Sequence, residues 1–448
     1  MPIEFRRLPR VAGIVLLCGL LSQPARAAEP TVFLPASIDL RESAELALRH
    51  NPALRRAAER TLEQREAISE TRAAGRPRLD AVGSYSIEER DRVGDFGGGS
   101  QQDNTSWNAG FEAASSLYSG GRFTAEVSAQ TAREQARGAE QAATANDVLL
   151  ETASRYFAAL LARKNIVVQE KALSLFELQL QVAQNRFQAG TGPRFDVLQA
   201  EVALANARPP LVRARNAARV AVEELRQTIG LPYAPGQNAE AIDLDPDWPE
   251  ALPLDPVEDA IAMAMDKHPT LRALDKELDA AIQQVRATRR QRAPSVQGFA
   301  NYLFQNDRFA EGDDVLQGWG IGVRASLPIW DSAAIRSRTG QAEARLRQQE
   351  LQNEETALAI EVDVRRAWFD VEQAAEILQT ADLVIEQASE ALRLAENRYA
   401  AGALTQLEVL QSQLALTQSL LERESAAHDF HTAFARLRHA TGIPPIGI

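Results

Sequence analysis

Two kinds of pattern divide this chain. In the first, apolar and polar residues alternate one by one. Trp107, Ala109, Phe111, Ala113 and Leu117 alternate with Asn108, Gly110, Glu112 and Ser116, and Trp319, Ile321, Val323, Ala325 and Leu327 alternate with Gly320, Gly322, Arg324 and Ser326. A period of two places one apolar and one polar face on a strand. The strands predicted are 79–88, 107–117, 296–305 and 319–329, with Phe299 and Leu303 breaking the alternation in the third. About ten residues is what a tilted strand needs to cross a bilayer. The other reading of alternation alone is a small soluble sheet lying on a helix layer.

The second pattern is two long proline-free runs, 122–189 and 333–401, dominated by Ala, Gln, Glu, Leu and Arg, which are good helix formers. An unbroken helix of that length reaches about 100 Å. The first run ends at Gly190-Thr191-Gly192-Pro193 and the second at Ala400-Ala401-Gly402, both helix stops. Helical runs 195–229 and 407–441 follow at once, so each pair folds back as an antiparallel hairpin.

These elements occur twice. His50-Asn51-Pro52-Ala53-Leu54-Arg55 resembles Lys267-His268-Pro269-Thr270-Leu271-Arg272, Pro77 meets Pro294 and Tyr85 meets Tyr302, all at an offset of 217. From Trp107 and Trp319 onward the offset is 212: Asn185-Arg186-Phe187 meets Asn397-Arg398-Tyr399, Asp196-Val197-Leu198-Gln199 meets Glu408-Val409-Leu410-Gln411, and Gly230-Leu231-Pro232 meets Gly442-Ile443-Pro444. The change of offset places a five-residue difference in a glycine-rich loop containing Gly94 and Gly97 to Gly99. The predicted organisation is a first repeat over 28–232 and a second over 255–448, joined by an irregular connector at 233–254. Each repeat has one shorter helix (about 40–75; 255–292), a strand pair, the long helix and the return helix. Pro209-Pro210 predicts a break or kink in the first return helix only.

Residues 1–27 read as a secretory signal. Arg6, Arg7 and Arg10 precede a short apolar run, 11–21, and Ala25-Arg26-Ala27 has the small-x-small form of a cleavage site. Cleavage after Ala27 removes four arginines and Glu4, taking the net charge from -12 to -15, and also removes Cys18, the single cysteine. Leu16-Leu17 before Cys18 argue against lipidation. An exported chain without disulfides draws its stability from elsewhere. The acidic balance argues against nucleic acid as a partner. No other segment is apolar enough for a transmembrane helix, so the mature chain is either soluble after export or inserted as strands.

Trp107 and Trp319 stand at one end of the predicted strands, Tyr118 and Trp330 at the other. Aromatics at both boundaries form a membrane-interface girdle. Four strands cannot close a barrel, and an open edge is not tolerated in lipid. Several copies must then share one barrel: two would supply eight strands, three would supply twelve.

With its two long-helix hairpins and its paired turn motifs, Asn185-Arg186-Phe187-x-x-Gly190…Asp196-Val197-Leu198-Gln199 and Asn397-Arg398-Tyr399-x-x-Gly402…Glu408-Val409-Leu410-Gln411, the chain resembles the TolC-type outer-membrane efflux factors. The resemblance covers nearly all of the mature chain. It implies a mainly α fold with membrane β-strands. It also implies a homotrimer with a periplasmic α-barrel tunnel and one shared 12-stranded β-barrel among outer-membrane lipids. The implied function is a passive exit duct for efflux or type I secretion, without enzymatic activity or cofactor. The implied partners are a periplasmic adaptor (a membrane fusion protein) and an inner-membrane pump of the RND, ABC or MFS type. The turns bearing Gly190, Gly192, Arg194, Gly402 and Thr405 would meet the adaptor. Asp196 and Glu408 would form acidic rings at a closed, cation-selecting aperture. The sequence departs from the family pattern at Gln411, where an acid is expected, and at Leu404, where a basic latch can stand. Helix capping is the alternative role for Asp196 and Glu408.

The rival class is a periplasmic adaptor or coiled-coil scaffold, which usually carries one hairpin. No enzyme constellation stands out: Gly97–Ser100 lacks the features of a phosphate loop, and no Gly-x-Ser-x-Gly elbow is present. His428 and His431 stand three apart on one helix, without a third metal ligand nearby, and read as a solvated face. The exported molecule is not legible.

Overall fold

A computed structural model describes residues 32–88, 104–249, 253–306 and 315–446. The signal segment 1–27 with Cys18, and the glycine-rich loop with Gly94 and Gly97–Ser100, lie outside the described residues. The element order is β1 (Ser37–Ile38), α1 (Leu40–His50), α2 (Pro52–Ala73), β2 (Arg78–Glu88), β3 (Asn104–Tyr118), α3 (Arg122–Gln188), α4 (Arg194–Ile229), β4 (Asp243–Leu244), α5 (Val257–Lys267), α6 (Pro269–Arg289), β5 (Ser295–Asn306), β6 (Val315–Ser326), α7 (Ala334–Ala400) and α8 (Gln406–Ala440). Both long helices, α3 and α7, have 67 residues. At 1.5 Å per residue each spans about 100 Å.

The shorter helix of each repeat is two helices, not one. A proline disfavours the α conformation at the residue before it. Asn51 therefore ends α1 and starts α2: its N–H donates to Ala47 O, its Oδ1 accepts from Ala53 N at 2.7 Å, and its Nδ2 donates to Thr228 O at 2.7 Å. His268 does the same between α5 and α6, accepting at Nδ1 from Thr270 N at 3.3 Å. Gly230 and Gly442, at the ends of α4 and α8, lie against these two joints.

Helix α4 continues through Pro209 and Pro210, so of the predicted break or kink the break does not occur. Two backbone N–H donors are lost there. Packing of Ala203, Leu204 and Ala207 against Ala172, Phe176 and Leu410 supplies what the backbone forgoes.

The described part of the connector, through residue 249, is also more ordered than its composition suggests. Strand β4 pairs in parallel with β1, and Leu231, Ile242 and Leu244 join Tyr156, Phe157, Leu160, Leu225 and Ile229 in the largest core cluster. A second cluster joins α5, α7 and α8 through Ala260, Ala264, Ile360, Val364, Phe430 and Leu437. His431 belongs to the first of these levels, not to a solvated face. Its ring stacks on Trp248 at 5.3 Å and tilts against Phe157 at 5.5 Å. Trp248 in turn donates Nε1–H to Glu424 at 2.9 Å.

Strands β2-β3-β5-β6 form one antiparallel sheet, and the β3–β5 pairing joins the two repeats. The register puts Ala81, Phe111, Tyr302 and Trp319 in one row on one face, with Leu79, Ala113, Ala300 and Ile321 in the next row of the same face. Asp80, Glu112 and Asn301 lie on the opposite face. The two residues that broke the alternation sit on this polar face where glycines leave room. The Phe299 ring covers Gly322, and Leu303 lies over Gly110.

Among the predicted girdle residues, Trp107 pairs with Tyr85, whereas Trp319 pairs with Tyr302, four residues lower along β3. Strand β6 ends at Ser326, so Trp330 lies beyond it in the connection to α7. Leu327–Ile329, predicted as strand, lie there too. Matched sequence positions are thus not register partners across the sheet.

Candidate functional site

The site is the far end of the two hairpins, where α3 turns into α4 and α7 into α8. Both turns are built by the same means. Gly190 at φ +72° and Gly402 at φ +75° occupy the left-handed region that glycine reaches without cost. Thr191 N donates to Arg186 O at 2.9 Å and Ala403 N to Arg398 O at 2.9 Å, closing a Schellman-type helix end in each repeat. Gly192 lies beside Arg186, whose Cβ stands 3.1 Å from where a Cβ on Gly192 would be. Arg194 is exposed and opens α4.

The two helix starts differ. Thr405 and Glu408 form a capping box: the Thr405 N–H and hydroxyl both donate to Glu408 Oε2, at 3.0 and 2.7 Å. The N–H bond, and after it the hydroxyl bond, hold the Glu408 carboxyl below the usual carboxylate range. In α4 the capping position is Pro193, and no side chain caps the helix. A hydrogen-bonded side-chain cap forms at Glu408 alone, while Asp196 lies in the first turn of α4, where its charge still favours the helix dipole.

Asp196 is instead drawn to the other repeat. The Tyr399 hydroxyl lies 3.5 Å from Asp196 Oδ2 and 3.3 Å from Gln406 Oε1, and Gln406 Nε2 donates to Asp196 O at 2.9 Å. Gln406 is almost fully buried. From the other side Arg186 donates Nη1–H to Tyr399 O at 2.8 Å and stacks its guanidinium 4.5 Å from the Tyr399 ring centroid. Burial, and after it the Asp196 charge, raise the Tyr399 phenol above its ordinary range.

The structure therefore brings Asp196, Arg186, Tyr399 and Gln406 into one seam between the hairpins and leaves Glu408 outside it. Reading the matched turns picked out Asp196 and Glu408 and passed over the other three. The available signal was the replacement of Phe187 by a tyrosine at the matched Tyr399. Leu404, where a basic latch was considered, packs instead beside Tyr399, Leu392 and Val409. Gln411 lines an open, mainly apolar groove of about 700 Å³ between α4 and α8, with Phe195, Leu198, Val202, Leu407 and Leu414 along it.

Among the described residues no helix is long and apolar enough to cross a membrane, and no group of three or more His, Cys, Asp or Glu is placed to hold a metal.

The model of the family described as "Outer membrane efflux protein" matches residues 44–231 and 260–443, one match in each repeat. The alkaline protease secretion protein AprF of Pseudomonas aeruginosa is 24% identical over 309 residues; the match takes in 66% of this chain and 62% of AprF, so the chain spans under two thirds of that relative. Protein CyaE of Bordetella pertussis is 27% identical over 387 residues, 81% of this chain and 77% of CyaE. Among solved structures, the outer membrane protein VceC of Vibrio cholerae superposes with a TM-score of 0.70 at 20% identity, covering 91% of this chain and 97% of VceC.

Proposed function

Since this chain belongs to the outer membrane efflux protein family, we propose that it works as a homotrimer whose paired hairpin turns form the periplasmic aperture of the duct. The chain is an outer-membrane exit duct for efflux or type I secretion, with a helical tunnel in the periplasm. The observation that carries the trimer is the sheet. Its outer strands, β2 and β6, have free edges in a single copy. In lipid those edges must pair. Successive strands run antiparallel, so β6 of one copy meets β2 of the next antiparallel and the alternation continues. Three copies close twelve strands, wide enough for a water-filled barrel; two close eight, which side chains fill.

The apolar face with Phe111, Tyr302, Trp319 and Ile321 then meets lipid, and the face with Asp80, Glu112 and Asn301 meets water. Trp107, Tyr118, Trp319 and Trp330 serve as interface aromatics. At the other end, Asp196 and Glu408 place six carboxylates around the aperture of a trimer. The seam of Arg186, Tyr399, Gln406 and Asp196 braces that aperture within each copy. The turns of Gly190, Gly192, Arg194, Gly402 and Thr405 meet a periplasmic adaptor, and the apolar groove beside Phe195 and Leu407 suits a helical hairpin of that adaptor. An inner-membrane pump of the RND, ABC or MFS type supplies the energy.

The test is single-channel recording of the purified protein in planar bilayers, with its mass measured in the same detergent. A trimer with cation-preferring currents is expected, and Asp196→Asn with Glu408→Gln should move the reversal potential toward zero in a salt gradient. A water-soluble monomer would instead favour the scaffold reading.

A further inference from the structure

Between the strands and the tunnel helices lies a belt of unusual charge. The four connecting stretches, 72–77, 119–124, 286–294 and 327–338, hold nine arginines and one acid, Asp331, in a chain whose net charge is -12. Asp331 is already engaged, its Oδ2 accepting from Ile335 N at 2.7 Å. The stretches form one continuous surface. The Phe123 ring packs on Gly75, Ala293 on Gly120, and Arg338 donates to Gln291 at 3.2 Å. Arg122 and Arg289 have carboxylate partners, Glu126 and Glu343. Arg72, Arg76, Arg290, Arg292 and Arg336 are exposed and have none among the described residues.

Beside the arginines stands an apolar spur. Ile329 and Trp330 are 92% and 87% exposed, and Leu117, Tyr118 and Leu327 are more than half exposed. A soluble surface rarely leaves such side chains bare together. Aromatic and aliphatic groups flanked by unpaired guanidiniums match the boundary between acyl chains and phosphate headgroups.

From this surface we infer that the junction is a binding belt for anionic phospholipid headgroups of the periplasmic leaflet. The inference rests on the proposed placement of the sheet in the membrane. The spur enters the leaflet, and the unpaired arginines take headgroup phosphates in forked hydrogen bonds. Three copies would carry the belt around the whole barrel. It would hold the duct at a fixed depth although the chain is acidic overall.

The experiment uses the full mature protein in a nonionic detergent. Phosphatidylglycerol or phosphatidylcholine is added in mixed micelles, and helix melting is followed by circular dichroism. Phosphatidylglycerol should raise the melting temperature by several degrees, phosphatidylcholine should not, and added salt should shrink the shift. The variant Arg290→Gln/Arg292→Gln/Arg336→Gln should lose more than half of it. The matching Lys variant should retain most of it, and Arg393→Gln, on the tunnel surface, all of it. An equal response to both lipids, an unchanged shift in the Gln variant, or the same shift from inorganic phosphate would overturn the inference. Carbonate washing of membranes separates the two levels: a protein washed off refutes the membrane placement, whereas one retained but indifferent to phosphatidylglycerol refutes only the belt.

Discussion

Tyr399, at the end of one long helix, holds its hydroxyl 3.5 Å from the carboxylate of Asp196, which lies 203 positions earlier at the start of the other repeat's return helix. The same hydroxyl reaches Gln406 at 3.3 Å, while Arg186 covers the ring. The phenol therefore adds to two other ties between the hairpin tips, Gln406 Nε2 to Asp196 O and Arg186 Nη1 to Tyr399 O. The variant Tyr399→Phe keeps the ring and the Arg186 contact and loses both polar ones. It should loosen the seam by about 1 kcal/mol. Single-channel recording should show more frequent or larger openings than in the parent.

His431 makes the packing around Trp248 sensitive to acid. Burial, and then the positive charges of His428 and Arg423, lower it to about 4 from its ordinary 6.5. A folded-state value below the unfolded one means the stabilisation is complete above pH 6.5 and is lost as pH falls toward 4. The span corresponds to at most about 3 kcal/mol. His431→Phe keeps a ring against Trp248 and should flatten the fall in melting temperature between pH 7 and pH 4.5. Trp248 fluorescence should follow the same change.

Gly230 and Gly442 are each specified twice. They adopt φ of +82° and +75°, and a Cβ would stand 2.8 Å from His50 O or 2.7 Å from His268 Cα. These neighbours are backbone and cannot turn aside. Replacement by Ala at either site should cost about 2 kcal/mol or more through left-handed strain and overpacking. Gly138, inside α3 with open space around it, is the control. There Ala should stabilise by roughly 0.5–1 kcal/mol, and thermal melting of the purified variants measures all three.

The turns from strand to long helix are solved differently in the two repeats. Gly120 and Gly121 take φ of +63° and +80° in the first, and at the matched offset Ser332 and Ala333 take +53° and +65° in the second. Side chains with a Cβ are strained there by about 1–2 kcal/mol per residue. Ala333→Gly should raise the melting temperature by relieving part of that strain. Gly120→Ala should lower it, since its Cβ would collide with Ala293.

The strong local signals were readable without coordinates. Long runs of helix formers set the 67-residue helices, glycine stops marked both hairpin turns, and period-two alternation found four strands to within a few residues. Local signals were also missed. Asn51-Pro52 and His268-Pro269 break what reads as a single helix, because a proline constrains the residue before it more than the surrounding propensity does. Pro209-Pro210 does not break its helix, since packing against Phe176 and Leu410 outweighs two absent donors.

What the sequence determined by itself is everything carried by periodicity and internal matching: two like halves, their helices and strands, and the residues available at each turn. These depend on neighbours a few positions apart. Only the tertiary structure decided which of two matched acids caps its own helix and which crosses to the other repeat. It also decided that His431 stacks in the core and that the arginines at four separate junctions share one surface. Such outcomes depend on side chains two hundred or more positions apart coming into direct contact, as Asp196 and Tyr399 do, and short-range pattern carries no information on those contacts. Matched positions can therefore diverge: Asp196 and Glu408 share an offset, but Pro193 leaves Asp196 free to find Tyr399, while Thr405 holds Glu408 at home.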